Sequence, residues 1–230
     1  DLLTVQNPYT AHAGYYSPLY VAAAYAPLAL LPHAVAYRVQ GGLMLFVYGA
    51  ALWRSLKQRS LVLIALAGPF ALMSALYGNL EAWVLLGATL PAPLNLWLLL
   101  SKPQIGLFAA GVVLWSEYRR SGARRVLALS LPLVAIYGLS LSLGMLATTP
   151  QHRAWDTALW PYGLLIGLPL AVLALRRRDV QLGLLASILA APYLAPMSWG
   201  AIQPALSRTR RGALVATGLC WCIFALWRWG

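Results

Sequence analysis

The charges of this chain are gathered, not spread: four short basic clusters, Arg54/Lys57/Arg59, Arg119/Arg120/Arg124/Arg125, Arg176/Arg177/Arg178 and Arg208/Arg210/Arg211, punctuate a series of apolar runs. Several of those runs are long enough, or nearly so, to cross a hydrocarbon core about 30 Å thick. Inside such a core there is no water to satisfy backbone N–H and C=O groups, so only helices and closed barrels span it. Residues 126–146 and 212–227 are continuously apolar or small and lack the two-residue alternation of a barrel strand. Composition agrees, because 61% of the 230 residues are hydrophobic and only 10% are charged, which lies outside soluble norms. The expected fold is all-α: a polytopic transmembrane helical bundle of about eight to nine membrane segments, some of them broken or re-entrant. Residues 1–16 read as a polar interfacial lead-in and residues 17–230 as a single transmembrane helical domain, multi-pass in a plasma (inner) membrane.

The formal charge of +12 does not point to nucleic acid, because the arginines form no groove-lining stripe with interleaved aromatics. Placed between apolar runs, they read as cytoplasmic loop anchors under the positive-inside rule. The alternative is a dedicated anionic-lipid or pyrophosphate site. Cys220 and Cys222, two apart in an apolar helix candidate, point to different faces and are read as small apolar residues. The sequence has no zinc or haem-attachment spacing, and no soluble cofactor is expected.

Along the chain, Asn7-Pro8-Tyr9-Thr10 reads as a turn, and Tyr15, Tyr16 and Tyr20 as an interfacial aromatic cluster. Helix candidates cover residues 18–31, 35–53 and 61–77, and Gly68-Pro69 predicts a kink in the third. From Asn79 to Arg119 is about forty residues, which as one helix would be about 60 Å long, too long for one straight crossing. Pro91, Pro93 and Pro103 divide that stretch into short pieces. Within it, Gly78-Asn79-Leu80-Glu81 and Ser101-Lys102-Pro103-Gln104 place an acid, amides and a lysine in one of the least charged parts of the chain. A lysine at the bilayer centre costs roughly 2.5–3.5 kcal/mol on insertion scales, so these groups are functional candidates. Residues 126–147 and 158–175 read as an out-and-back pair whose connecting loop holds His152, Arg153, Trp155 and Asp156. From Val180 the chain reaches Arg208 in too few residues for two full crossings, so either the arginines at 208–211 face outward or this is another broken helix. Residues 212–227 are the last crossing.

The order of several motifs resembles a family. Asn7-Pro8-Tyr9 is followed by Tyr16-Ser17-Pro18-Leu19, Ala26-Pro27-Leu28-Ala29-Leu30-Leu31-Pro32, Gly78-Asn79 opening a helix, Lys102-Pro103-Gln104, and Ser198-Trp199 after a Pro-Tyr pair. This series resembles the bacterial polyprenol-phosphate-sugar-dependent glycosyltransferases of GT-C architecture, the group that includes phosphatidylinositol mannoside mannosyltransferases. The resemblance implies sugar transfer from a polyprenyl-phosphate donor at the outer face of the membrane. A carboxylate in the first external loop would take the acceptor proton, and a cation would stabilise the departing lipid phosphate. It makes Lys102 the candidate cation, with Gln104 or Asn79 donating hydrogen bonds, and membrane lipids and the polyprenyl-phosphate sugar the expected partners. Asp1 is the sole acid before Glu81, so the family's first transmembrane helix and acid-bearing loop are expected upstream of Asp1.

Simpler readings stand beside these. Lys102 can snorkel to an interface from the end of a short helix. Glu81 can complement a helix dipole in the first turn, with Asn79 as the cap. Asn95 and Gln104 can be interhelical glue. His33 reads as an interfacial residue, and Asp156 as an ion-pair partner of Arg153. The alternative function is a non-catalytic integral membrane subunit packed in a larger complex, favoured by the few acids and the many small residues. A channel or transporter ranks third, for want of further intramembrane acids.

Overall fold

The computed structural model describes residues 17–77, 79–145 and 156–229. The lead-in at residues 1–16, Gly78, and the loop residues His152, Arg153 and Trp155 lie outside the described residues. Every regular element among the described residues is helical. Three helices are long and apolar enough to cross a membrane, or up to four if one bent pair is a single span. Their outer faces carry large apolar side chains such as Phe46, Leu127, Leu131 and Leu214, exposed as lipid-facing residues are.

The first helix, α1 (Leu19–Tyr25), runs into a 3-10 turn (Ala26–Leu30) led by Pro27. The two together are about 18 Å long at helical rise, short of a full crossing. Helix α2 (His33–Leu56) follows Pro32 and stops at Lys57, which adopts the left-handed conformation with φ 53°.

Helices α3 (Arg59–Leu66) and α4 (Pro69–Leu76) are bent by 64° at Gly68-Pro69. Pro69 has no N–H to give the Ala65 carbonyl, which accepts instead from the Gly68 N–H at 3.1 Å and from Gln203 Nε2 at 2.8 Å. The Gln203 amide is itself fixed by Tyr48, whose hydroxyl donates to Gln203 Oε1 at 2.9 Å. The core forms around this junction, from Met44, Tyr48, Leu52, Phe70, Leu85 and Met197.

The proline-divided stretch is broken as its sequence predicts, into α5 (Glu81–Gly87), α6 (Leu94–Leu99) and α7 (Pro103–Ser142). Helix α7 is two helices joined at Gly122, whose φ of 77° and ψ of −179° are open to glycine. The two halves fold back on each other, because the Tyr137 hydroxyl donates to the Leu100 carbonyl. In one straight helix those residues would stand about 55 Å apart. The second basic cluster therefore caps a hairpin tip, where Arg125 reaches Glu117 at 3.6 Å.

The last third comprises α8 (Leu164–Arg177), α9 (Val180–Ala190), a 3-10 turn (Pro196–Ile202), α10 (Gln203–Leu206) and α11 (Arg210–Trp229). The segment between Asp179 and Arg208 is broken, and its ends meet: Arg208 Nη2 donates to Asp179 Oδ2 at 2.6 Å. Helices α3 and α11 run parallel, with Thr217 Oγ1 donating to Ile64 O at 3.0 Å and Trp221 Nε1 to Ala67 O at 3.1 Å. Arg59 and Arg210 thus start their helices at the same end of the bundle, and the Asp179–Arg208 contact brings Arg176–Arg178 there too. Three basic clusters share one face, as the positive-inside rule asks.

Candidate functional site

Three chain breaks converge on one buried polar group. Glu81 opens α5, Lys102 immediately precedes α7, and Ser198 lies in the 3-10 turn after α9. Lys102 Nζ donates to Glu81 Oε1 and, at 3.1 Å, to Ser198 Oγ. Ser198 Oγ in turn donates to the same Glu81 oxygen at 2.8 Å. The Glu81 side chain is 0% exposed and that of Lys102 11%, so this is a desolvated ion pair with a hydroxyl bridging it. Glu81 Oε2 has no protein partner among the described residues.

Local sequence explains the convergence. Pro103 opens α7 in its first turn, where the missing N–H is harmless, and the extended backbone of Lys102 turns its side chain back toward α5. Gly106 lets the first turn of α7 press on the end of α6, since a Cβ there would lie 1.9 Å from the Leu99 carbonyl oxygen. A cation at a helix N-terminus opposes the macrodipole, so Lys102 needs a counter-charge, and Glu81 provides it. At the far end of the α5 excursion, Arg54 donates to the Thr89 hydroxyl at 3.2 Å, which ties that turn to the basic face.

Of the residues singled out in the sequence, Lys102 and Glu81 are brought together, while Asn79 and Gln104 stay outside the cluster. Asn79 is held by its backbone, its N–H donating to Ser74 O at 3.0 Å and its carbonyl accepting from Ser74 Oγ at 3.3 Å. It does not cap α5, because Leu80 occupies that position. Gln104 is half-buried in the first turn of α7. Asn95 is buried, but its Oδ1 has no partner among the described residues. Sequence reasoning read Ser198 as a motif residue and not as a partner of Lys102, and it passed over Gln203 and Tyr48. The available signal was a polar side chain following the Pro192 and Pro196 breaks in an apolar stretch.

His33 is exposed at the start of α2, and no group of three or more His, Cys, Asp or Glu capable of holding a metal is found among the described residues. Cys220 is buried and Cys222 exposed, both as free thiols. Asp156 accepts from the N–H groups of Ala158 at 2.9 Å and Leu194 at 3.1 Å, tying the chain before α8 to the 3-10 region.

The second acid–base pair sits at the basic face. Asp179 caps α9, accepting from the Leu182 N–H at 3.1 Å, while Arg208 also reaches Gln181 Oε1 at 3.4 Å. Burial works against ionisation of Asp179, but the hydrogen bonds from Arg208 and Leu182 outweigh it and hold the carboxyl below its usual range. Comparison with family models, with curated proteins and with solved structures finds no match.

Proposed function

We propose that the chain is a GT-C-like glycosyltransferase of the plasma membrane that transfers a sugar from a polyprenyl-phosphate donor. The observation that supports this reading is the lysine held inside an apolar bundle, at the meeting point of three helix breaks, by one carboxylate and one hydroxyl. In the reaction the acceptor oxygen bonds to the anomeric carbon as the bond from that carbon to the phosphate oxygen breaks. Polyprenyl phosphate leaves with the electron pair, and a carboxylate of the first external loop takes the acceptor proton. Lys102 exchanges Glu81 for the leaving phosphate and stabilises its charge. Gln104 and Asn79, at the same helix starts, donate hydrogen bonds to the donor, and no soluble cofactor takes part.

In this reading the membrane segments number about eight to nine: the hairpin halves of α7 cross separately, α3 and α4 form one bent span, and residues 81–99 and 180–206 are re-entrant. All four basic clusters face the cytoplasm and the site opens toward the other side. The experiment is sugar transfer from a polyprenyl-phosphate sugar in membranes holding the full chain. A Glu81→Gln/Lys102→Gln variant removes both charges without leaving one alone; its transfer rate should fall by about 10²–10³-fold with the protein still inserted. An unchanged rate would remove Lys102 from the mechanism.

One observation favours a second reading, a non-catalytic subunit of a larger membrane complex: the ammonium of Lys102 is already satisfied by Glu81 and Ser198 and nearly closed off from solvent. In that case the same variant lowers the yield of the assembled complex and leaves sugar transfer untouched.

A further inference from the structure

The bend at Gly68-Pro69 has an effect on the outside of the bundle. Helix α11 stays against α3 up to Trp221, whose indole donates to the Ala67 carbonyl at 3.1 Å. Beyond that point α4 turns away by 64°, and a groove of about 710 Å³ opens between α4 and α11. Leu72, Met73 and Leu76 form one wall, Trp221, Phe224 and Trp227 the other, and Arg228 stands at the end of the groove away from the basic clusters. From Trp221 to Arg228 is about 10 Å of helical rise, the length of part of an acyl chain.

Charge identifies the occupant. The chain has only five acids. Among the described residues, Glu81 is paired with Lys102, Glu117 with Arg125 and Asp179 with Arg208, while Asp156 accepts two backbone N–H groups. Among the described residues, no carboxylate is in contact with Arg228. A second copy would bring the same shortage of acids and add to the positive charge. In a bilayer, the anion found next to an apolar slot is a lipid phosphate.

We infer that this groove is a binding site for one anionic phospholipid, an acyl chain lying between the α4 and α11 walls and the phosphate on Arg228, in the leaflet opposite the basic clusters. The site depends on the chain spanning a membrane and not on glycosyl transfer. Tryptophan at the groove lets the bound chain be followed.

The experiment is native mass spectrometry of the full chain released from nanodiscs containing equal amounts of phosphatidylglycerol and phosphatidylcholine, with tryptophan quenching by the same lipids brominated on their acyl chains. Wild type should retain one phosphatidylglycerol with about fivefold preference over phosphatidylcholine. Arg228→Gln should abolish the preference while keeping the quenching, and Leu72→Trp, which fills the groove from an exposed position, should lose both. Equal retention of the two lipids by wild type, or an unchanged preference in Arg228→Gln, would overturn the assignment. So would efficient disulfide-linked dimerisation of Leu72→Cys in a Cys222→Ser background, which would give the groove to a second copy.

Discussion

Two interrupted segments of this bundle are built on the same plan and placed in opposite surroundings. Residues 81–102 leave and return at the pair Glu81–Lys102, and residues 179–208 at the pair Asp179–Arg208, so each excursion is pinched at its base by an acid and a base. The first pair is shut away, with Glu81 0% exposed. The second is wet, with Arg208 57% exposed. A buried pair adds little net stability relative to an apolar pair but is severe to break, since removing one partner strands a charge. A wet pair is worth at most about 1 kcal/mol and is screened by salt. One geometry thus yields a rigid polar centre in one place and a loose clasp in the other.

The contrast can be broken most forcefully at Glu81. Glu81→Ala alone should destabilise the protein by about 3–5 kcal/mol, because Lys102 is left buried and unpaired. Glu81→Leu/Lys102→Met should recover most of that loss, and thermal unfolding in detergent measures both. If the double variant is as unstable as the single one, packing and not charge explains the site.

Next in size is Gly106→Ala. Its new methyl group would sit against the Leu99 backbone, which cannot give way as a side chain end would, and about 1–3 kcal/mol should be lost by the same measurement.

The smallest effect is expected at the wet clasp, and it depends on pH. The Asp179 carboxyl titrates lower in the folded protein than in the unfolded chain, so the unfolded chain binds more protons on acidification. The stabilisation is full above the ordinary carboxylate range, near pH 4 and upward. It declines as pH falls through the lowered folded value. Asp179→Asn keeps a capping side chain while removing the charge, so it should flatten this acid limb and differ from wild type by at most about 1 kcal/mol at neutral pH. Unfolding followed between about pH 5 and 3 tests it.

The breaks were legible because proline acts locally: Pro69, Pro91, Pro93 and Pro103 each mark an end or bend of a helix. The all-helical class was legible for a similar reason, since apolar runs between basic clusters admit few alternatives. The partners of the site were not. Ser198 meets Lys102 across 96 residues and Gln203 meets Ala65 across 138, and no periodicity or spacing encodes a contact of that range. Asn79 looked like a cap from its side chain chemistry, yet its backbone is claimed by Ser74 and Leu80 takes the position. Gly122 was hidden inside a basic cluster; it is the fold-back between two helices that makes its conformation matter.

The clasp at Asp179 and Arg208 also bears on biogenesis. In the proposed re-entrant topology this segment starts and finishes on one side and is never carried across as a whole, and the irregular backbone between Ala190 and Pro196 cannot be left facing lipid. It needs a finished receptor inside the nascent bundle. Tyr48, Ala65, Glu81 and Lys102, the groups that receive Gln203 and Ser198, all leave the ribosome before them. Synthesis from the N-terminus therefore builds the receptacle first and delivers the insert afterward, an order that a circular permutation beginning near residue 179 would reverse.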